Sequence, residues 1–463
     1  KELKENCTPD DIAFLTFTVK ARIEAVTRAS QLLKVDSKKF PYFSTLHSIA
    51  WKVGGFQPKN KMTTKHWFEF ANLMKQHRVS GDTDIKVDKT QSEMGGEIAS
   101  NKYISLINKA RQQRLSIKEF SQRNRIPEGG YLMLEKVSDL LIEHKKQLDV
   151  YDYTGSIEFI VDEDVEIPKL KVVIVDEAQD LTKLQWALVK KFVDKAERVY
   201  VAGDDDQEIY EWAGAEALYF KNLRGKSRVL DKSYRVPRNI AEKSRRLIER
   251  IPKHLREQKD WRAVKDGGKI IYLENEKFIN YELPGSYYFL ATCSYMLNDV
   301  TREQVYADSI KNLFNFMKSR NKNKPNASLK IGAKKKVESI DVDKKYKFND
   351  VKELGLLAEA DWKWHEALDN LDNPDVVYIE KVFSNGTDLN KEPNIVVNTI
   401  YAVKGGEADN VIMFSDLSPA GKRGLKENIN EVRKVFYTGM TRAKTNLYIV
   451  KQNHEYAFKE LYA

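Results

Sequence analysis

One short segment of this 463-residue chain constrains its fold more than any other. Residues 170–175 are a run dominated by apolar side chains, and Asp176 and Glu177 follow it directly. An apolar run without alternation is typical of a central strand in a parallel sheet, because such a strand is covered on both faces. Ligands of open parallel sheets bind beyond the carboxyl ends of the strands. The segment therefore predicts an α/β fold with two carboxylates at a binding edge.

The neighbouring segments extend this pattern. Residues 11–16 predict a strand that is followed by a helix over residues 19–33, and residues 43–51 predict a strand end that runs into a helix. A helix over residues 182–193 and a strand over residues 198–202 complete a βαβ unit of a parallel sheet. A second set of such units is predicted from strands at residues 228–230, 287–291, 394–400, 410–414 and 447–450 and from a helix at residues 237–251.

The pattern divides the chain into two α/β lobes with insertions. The first lobe is predicted to comprise residues 1–60 and 166–227, with a helical insertion over residues 61–165. The second lobe is predicted to comprise residues 228–299 and 394–463, with a small insertion subdomain over residues 300–393. Within that subdomain, residues 319–347 are rich in lysine and asparagine. Such a composition is typical of a solvated linker, and a segment that touches nucleic acid is the alternative.

Composition narrows the classes of partner. The net charge of +10 favours a polyanionic partner, although a basic surface without a specific partner has the same charge. Two cysteines, Cys7 and Cys293, exclude a disulfide framework and offer no metal-binding spacing, which fits a reducing compartment. No run of about 18 apolar residues is present, so we expect no membrane span.

The acidic residues after the two strands of the first lobe point to phosphate chemistry. A carboxylate at the position of Asp176 can hold Mg²⁺, and the adjacent Glu177 can deprotonate an attacking water. The alternative is an ordinary acidic turn at a helix start. Asp204, Asp205 and Asp206 follow the next strand, and three consecutive acids require a cation or donors nearby. Gln207 could then reach a terminal phosphate.

Seven segments, in order along nearly the whole chain, resemble the motifs of superfamily 1 DNA helicases of the UvrD/Rep type. These segments are LTFTVKA (15–21), STLHSIA (44–50), VIVDEAQDL (173–181), GDDDQEIYEWAGA (203–215), LDKSYRVP (230–237), TIYAVKGGEADNV (399–411) and VFYTGMTRAKTNLY (435–448). The resemblance implies two RecA-like lobes of the P-loop NTPase type with mainly helical insertions, and ATP with Mg²⁺ as cofactors.

The resemblance also implies roles for individual residues at the nucleotide. Asp176 would hold Mg²⁺, Glu177 would be the general base, and Gln207 and Arg235 would contact the γ-phosphate. Arg442 would be the arginine finger, for which a surface ion pair is the alternative. Tyr234 would stack on adenine, Glu407 would bind the ribose, and Gly406 would belong to the nucleotide site.

A second group of residues is implied at the DNA. The expected contacts are Phe17, Thr18, Thr45, His47, Trp212, Thr399 and Tyr401. For His47 a hydrogen-bonding role in the core is the alternative, and for Trp212 it is plain core packing.

Three departures from the family pattern stand out. No Gly-rich loop ending in Gly-Lys-Thr or Gly-Lys-Ser is present, and the chain begins with Lys1, so we expect the sequence to start inside a longer chain and to bind ATP poorly as written. Ala213 stands where the family usually has arginine, and Tyr401 where it often has histidine. The insertion over residues 300–393 is short for the family.

By resemblance, the chain is expected to be an ATP-dependent translocase or helicase that moves 3′→5′ on single-stranded DNA. Its expected partners are single-stranded DNA and junctions of single-stranded with double-stranded DNA, in the cytoplasm of a bacterial or phage-infected cell and associated with the nucleoid. The alternatives are a DNA-binding scaffold without ATPase activity and the motor subunit of a helicase-nuclease complex, whose nuclease a partner would supply.

Overall fold

Contacts divide the chain into two units. Unit 1 comprises Lys1–Val229 with Ile251–Lys259, and unit 2 comprises Leu230–Arg250 with Asp260–Ala463. The computed structural model describes residues 7–81, 83–88, 98–211, 214–274, 278–279, 285–297, 326–327, 368–369, 394–451 and 456–462.

A four-stranded parallel sheet organises unit 1. Its strand order is β2-β1-β5-β6, and β3 and β4 form a separate antiparallel pair. The strands are β1 Ile12–Thr16, β2 Phe43–Thr45, β3 Lys86–Asp88, β4 Ile98–Ser100, β5 Val172–Val175 and β6 Arg198–Val201. The helices are α1 Val19–Leu33, α2 Leu46–Val53, α3 Thr64–Gln76, α4 Lys102–Gln112, α5 Ile117–Arg123, α6 Glu128–Leu148, α7 Tyr153–Asp162, α8 Lys183–Val193 and α9 Ala217–Lys221. The predicted parallel α/β arrangement is confirmed for this unit.

Alternation along the strands gives this sheet two apolar faces, as a central parallel sheet requires. Val173 and Val175 of β5 belong to a core formed with helices α2, α7 and α8. Val172 and Ile174 point to the opposite cluster, against which α1 packs. Both faces of β5 are therefore covered, and its continuous apolar sequence reflects that position.

The helical segment between β2 and β5 has a core of its own. The buried side chains Trp67, Phe70 and Met74 of α3 pack with residues of α4, α5 and α6. Helix α7 lies within the predicted insertion 61–165, but its Ile157 and Ile160 belong to the core of the sheet. The exact bounds of the insertion stay a prediction.

Strand β6 is the edge of the sheet. Among the described residues it pairs only with β5, in parallel register. Its side chains Val199 and Tyr200 are 36% and 48% exposed, although the strand is parallel and apolar in its middle.

A five-stranded parallel sheet organises the described part of unit 2, in the order β13-β10-β14-β15-β9. The strands of unit 2 are β7 Lys232–Ser233, β8 Arg262–Ala263, β9 Lys269–Leu273, β10 Tyr287–Ala291, β11 Asn326–Ala327, β12 Leu368–Asp369, β13 Ile395–Thr399, β14 Ala408–Phe414 and β15 Ala443–Val450. Its helices are α10 Arg238–Ile248, α11 Pro419–Glu427 and α12 Ile429–Met440. Helix α12 packs on β14, on β15 and on α10.

One predicted strand of unit 2 is absent from the structure, and one strand of its five-stranded sheet was not predicted. Residues 228–230 form no strand, and Leu230 is 80% exposed, because so short an apolar stretch is not sufficient to pair and bury. Strand β9 was not predicted, although its sequence KIIYL is mostly apolar, and it pairs with β15 at the edge of the sheet. The small insertion 300–393 and the Lys-rich residues 319–347 lie outside the described residues, apart from the short pair β11 and β12.

Membrane insertion has no candidate in the part of the chain that the structure describes. None of its helices combines the length and the apolar character that crossing a bilayer requires.

Candidate functional site

Several predicted residues of unit 1 come together because the strands of its sheet are parallel. The carboxyl ends of parallel strands meet at one edge, where open α/β sheets bind their ligands. The predicted residues that follow these ends are Phe17 and Thr18 after β1, Thr45 and His47 at the end of β2 and in α2, Asp176 and Glu177 after β5, and Gln207 after β6.

Asp176 is placed by the sheet itself. Its backbone N–H donates to Leu15 O at 2.9 Å, which continues the β1–β5 ladder beyond the last strand residue. Its carboxylate accepts from the Glu177 N–H at 3.0 Å. Burial and the neighbouring Glu177 carboxylate together raise the pKa of Asp176 to about 6. A cation beside Asp176 and Glu177 would offset both the burial of the Asp176 carboxylate and the repulsion between the two acids.

Glu177 adopts left-handed backbone, with φ of +52°, which is uncommon for a residue other than glycine. Gln179, which is fully buried, donates from Nε2 to Glu177 Oε2 at 2.6 Å. The Oε1 atom of Gln179 accepts from the Asp204 N–H at 2.9 Å. One amide side chain therefore orients the glutamate and ties its loop to the loop after β6.

Residues 204–207, which we call the acidic loop, are neutralised by the protein's own cations. The side chains of Asp205 and Asp206 are 1% and 0% exposed. Lys259 Nζ lies 2.9 Å from Asp204 Oδ1 and 3.0 Å from Asp206 Oδ2, and it also contacts Asp205. Arg256 Nε donates to Asp206 Oδ1 at 2.7 Å. The three carboxylates are close enough to bind a metal ion, but an ammonium group already contacts all of them.

Gln207 is held by the first residue of this loop. Its Nε2 atom donates to Asp204 Oδ2 at 2.7 Å. Burial opposes ionisation of Asp204, but Lys259 and the hydrogen bond from Gln207 outweigh it and lower its pKa. Glu177, Gln179, Asp204 and Gln207 thus form one continuous hydrogen-bonded chain at the sheet edge.

The predicted DNA contacts of unit 1 have structural partners. Thr18 Oγ1 accepts from Ala21 N at 3.2 Å and caps α1. Thr45 is fully buried and caps α2 through Ser48 N at 3.3 Å. Phe17 is half-buried, and its ring centroid lies 5.5 Å from that of Tyr210.

His47 lies below the surface of unit 1. It is 5% exposed, and its ring meets the Tyr153 ring edge-on at 5.7 Å. Burial lowers its pKa to about 4, despite the nearby Asp152 carboxylate. This environment fits the core alternative for His47, and its contact with DNA stays a prediction.

In unit 2, two arginines far apart in sequence meet at one carbonyl. Arg235 Nη1 donates to Gly406 O at 3.5 Å, and Arg442 Nη1 donates to the same oxygen at 3.4 Å. Arg442 is 1% exposed and also donates to Thr438 O at 2.9 Å and Thr441 Oγ1 at 3.1 Å. Arg442 is therefore a buried structural donor here, not a surface ion pair.

The other predicted nucleotide contacts of unit 2 surround this carbonyl. Glu407 Oε2 lies 3.9 Å from Arg235 Nε, and its Oε1 lies 3.7 Å from Lys444 Nζ. Tyr234, next to Arg235, is 75% exposed, so its ring is accessible for stacking. Unit 2 therefore brings Arg235, Gly406, Glu407 and Arg442 together.

The remaining predicted DNA contacts are Thr399, Tyr401 and Trp212. Thr399 ends β13, and its Oγ1 accepts from Ala402 N at 3.3 Å. Tyr401 is half-buried, and burial raises the pKa of its hydroxyl. Trp212 and the departure at Ala213 lie outside the described residues.

Sequence reasoning missed three residues of the site: Gln179, Arg256 and Lys259. Gln179 lies inside a recognised motif, and its signal is the amide between two acidic residues in DEAQD. Arg256 and Lys259 belong to no recognised segment and lie about 50 residues from their partners. The requirement of three consecutive acids for a cation was the available signal, but it does not say where that cation is in the sequence.

Comparison with known proteins agrees with this geometry. The UvrD/REP helicase N-terminal domain matches residues 2–228, and the UvrD-like helicase C-terminal domain matches residues 300–454. The chain is 25% identical over 291 residues to the ATP-dependent DNA helicase PcrA of Staphylococcus epidermidis, covering 58% of this chain and 38% of that protein.

Two further relatives are also named as ATP-dependent DNA helicases. The ATP-dependent DNA helicase Rep of Buchnera aphidicola subsp. Baizongia pistaciae is 26% identical over 236 residues, covering 47% of this chain and 32% of that protein. PcrA of Staphylococcus aureus is 26% identical over 289 residues, covering 58% and 38%. The chain thus spans well under half the length of these relatives. Two domain models matched in order over most of the sequence, together with the assembled motif residues, show that the chain belongs to the UvrD/Rep helicase family.

Proposed function

We propose that this protein is an ATP-dependent translocase or helicase that moves 3′→5′ on single-stranded DNA. Family membership supports the class of activity. The direction rests on the resemblance of the GDDDQ segment to the 3′→5′ branch of the family. Such a motor acts where DNA is, so we also propose single-stranded DNA and its junctions as partners, with association with the bacterial nucleoid.

The observation that carries the proposal is the hydrogen-bonded chain at the edge of the unit 1 sheet. Glu177, the candidate base, is oriented by Gln179, and Gln179 binds the loop that holds Gln207, the candidate γ-phosphate contact. A base and a phosphate contact joined in this way can be positioned together. Phosphoryl transfer depends mostly on such positioning.

The carboxylates fit a magnesium nucleotide. Asp176 is half-buried beside a second acid, and this burial together with the neighbouring Glu177 carboxylate raises the pKa of its side chain. Asp176 would hold Mg²⁺, which supplies positive charge for the phosphate oxygens when it is bound. Glu177 would then accept a proton at its carboxylate from the attacking water.

The unit 2 arginines fit contacts to phosphate. Arg235 carries a side chain that is 34% exposed, so its guanidinium can reach a phosphate oxygen without unfolding any structure. For Arg442 to act as an arginine finger, its guanidinium would exchange the carbonyl of Gly406 for a phosphate oxygen. A planar guanidinium suits both acceptors.

ATP binding also needs a phosphate-binding loop, and no Gly-rich segment ending in Gly-Lys-Thr or Gly-Lys-Ser is present in the sequence. The test of the proposal therefore measures ATP hydrolysis directly.

The test compares ATP hydrolysis by the protein expressed from its complete reading frame with that of Glu177→Gln. We expect single-stranded DNA to stimulate hydrolysis, and Glu177→Gln to lower kcat at least about 100-fold because the base is lost. The affinity for a fluorescent oligothymidine should not change. Glu163→Gln, at an exposed glutamate, is the matched control. Hydrolysis that survives Glu177→Gln would overturn the catalytic assignment.

A second function, a DNA-binding scaffold without ATPase activity, is favoured by one observation: the absence of the Gly-Lys-Thr loop from the printed sequence. The same assays decide between the two functions. Oligothymidine binding without DNA-stimulated hydrolysis in the complete reading frame would establish the scaffold. The absence of both binding and hydrolysis would remove both functions.

A further inference from the structure

A nine-residue segment of unit 1 is flanked on both sides by unit 2. Ile251–Lys259 belongs to unit 1 by its contacts, whereas Leu230–Arg250 and the residues from Asp260 onward belong to unit 2. We call this segment the excursion. It contains the cations that contact the acidic loop, so a part of the chain outside every recognised motif reaches the candidate site.

Three groups of the excursion bind the acidic loop. Arg256 forms a bidentate salt bridge with Asp206, and both side chains are at most 6% exposed. Lys259 contacts Asp204, Asp205 and Asp206. The backbone N–H of Glu257 donates to Asp205 Oδ2 at 2.8 Å. Buried carboxylates are costly without such partners, so the loop conformation depends on the excursion.

The excursion also reaches Gln207 through one shared carboxylate. Asp204 Oδ1 accepts Lys259 Nζ at 2.9 Å, while Asp204 Oδ2 accepts Gln207 Nε2 at 2.7 Å. The position of the carboxylate plane therefore fixes the Gln207 amide. Removing Lys259 would leave Asp204 without its nearest counter-charge, and the carboxylate would be held less firmly.

We propose that Lys259 is a positioning residue for Gln207, and that the excursion is a latch that holds the acidic loop of unit 1 and with it the proposed γ-phosphate contact. The excursion belongs to unit 1 by its contacts. It acts through the carboxylate of Asp204 and not by touching the nucleotide. The inference rests on the proposed ATPase only for its kinetic consequence, because the contacts exist without it.

The first experiment needs no activity. Hydrogen-deuterium exchange of the printed chain is compared for wild type, Lys259→Met and Lys253→Met, the last at an exposed lysine of the same excursion. We expect Lys259→Met to speed exchange in peptides covering residues 204–211, and Lys253→Met to leave them unchanged. Unchanged exchange at residues 204–211 in Lys259→Met would overturn the latch.

The second experiment is a double-mutant cycle on DNA-stimulated ATP hydrolysis in the complete reading frame. Lys259→Met should lower kcat about tenfold with little change in KM for ATP, because the contact it supports acts in the transition state. In a Gln207→Ala background, the same change should have almost no further effect. Effects that multiply fully would show that Lys259 acts on stability alone and would overturn its positioning role.

Failure of the proposed function and failure of the latch give different results. If the wild type hydrolyses no ATP, the proposed function fails, and the exchange experiment alone decides whether the latch exists. If Lys259→Met does not fold, Lys259→Arg replaces it, since arginine keeps the charge but displaces it from the point between the three carboxylates. Faster exchange at residues 204–211 in Lys259→Arg supports the latch, and unchanged exchange contradicts it.

Discussion

Arg235 and Arg442, 207 positions apart in the sequence, donate to the same carbonyl oxygen, that of Gly406. The two side chains nevertheless differ in their surroundings. Arg442 is 1% exposed and has further acceptors in Thr438 and Thr441, whereas the side chain of Arg235 is 34% exposed. The shared carbonyl links a partly exposed arginine to a buried one.

This difference predicts distinct effects of the same substitution. Arg442→Lys should lower both stability and ATP hydrolysis, because lysine cannot serve three acceptors with a planar fork, and about 1–3 kcal/mol of unfolding free energy should be lost. Arg235→Lys should lower hydrolysis and leave stability nearly unchanged. Chemical denaturation and steady-state kinetics measure the two effects. Equal stability losses in both variants would contradict the buried role of Arg442.

Gly203 is predicted to tolerate no side chain. A Cβ atom there would lie 2.7 Å from Gln179 Oε1 and would displace the amide that orients Glu177. Gly203→Ala should therefore cost about 1–3 kcal/mol of stability and lower kcat. Gly129→Ala is the matched control, since nothing lies within 4 Å of its added methyl and the residue is in α6. It should stabilise the protein by about 0.5–1 kcal/mol. If Gly203→Ala changed neither the stability nor kcat, the side chain of Gln179 would not be tightly held.

His47 should make stability depend on pH between about 4 and 6.5. The folded protein keeps His47 neutral down to its lowered pKa of about 4, whereas the unfolded chain binds a proton near 6.5. In this window the unfolded state binds more protons, so stability falls as the pH falls, by up to about 3 kcal/mol. Denaturation across the window should show a shallower pH slope for His47→Gln than for wild type.

A surface histidine provides the control for this prediction. His77 is exposed, and His77→Gln should retain the wild-type slope. Comparing slopes cancels the opposite contribution of Asp176, whose pKa is raised in the folded protein. Parallel curves for wild type and His47→Gln would mean that His47 is hydrated in solution.

A buried ion cluster joins α4, α6 and α7 and should be a major source of stability. Arg111 Nη1 lies 2.7 Å from Asp152 Oδ2, and Lys145 Nζ lies 3.5 Å from Asp152 Oδ1. Asp152→Asn would leave these buried cations with less counter-charge and should cost about 3 kcal/mol or more. Asp162→Asn, which breaks the surface pair with Arg114, should change stability little. If Asp152→Asn and Asp162→Asn lost similar unfolding free energy in urea denaturation, the ion cluster around Asp152 would be hydrated.

Local patterns predicted most of the regular structure. The helix predicted over residues 19–33 coincides with α1, because Thr18 supplies its cap and apolar residues recur at helical spacing. The strand predicted at residues 170–175 was found as β5, two residues shorter at its start. Predictions failed where contacts with distant parts of the chain decide the structure. Residues 228–230 form no strand, whereas the unpredicted β9 pairs with β15, which lies far along the chain.

The site was predictable to the same degree and for the same reason. Asp176, Glu177 and Gln207 follow strands, so sequence places them at one edge of a parallel sheet. The meeting of Arg235 with Arg442 and of Lys259 with the acidic loop depends on long-range packing, which no local pattern encodes. That all these residues bind a single nucleotide stays a prediction.

Strand β6 has a practical consequence for anyone who purifies the printed chain. Its side chains Val199 and Tyr200 are 36% and 48% exposed, which leaves apolar surface that two copies of the chain can bury against each other. We therefore expect dimers or turbidity that increase with protein concentration. Val199→Lys should keep the protein monodisperse in light scattering, because a charge at this position opposes such burial.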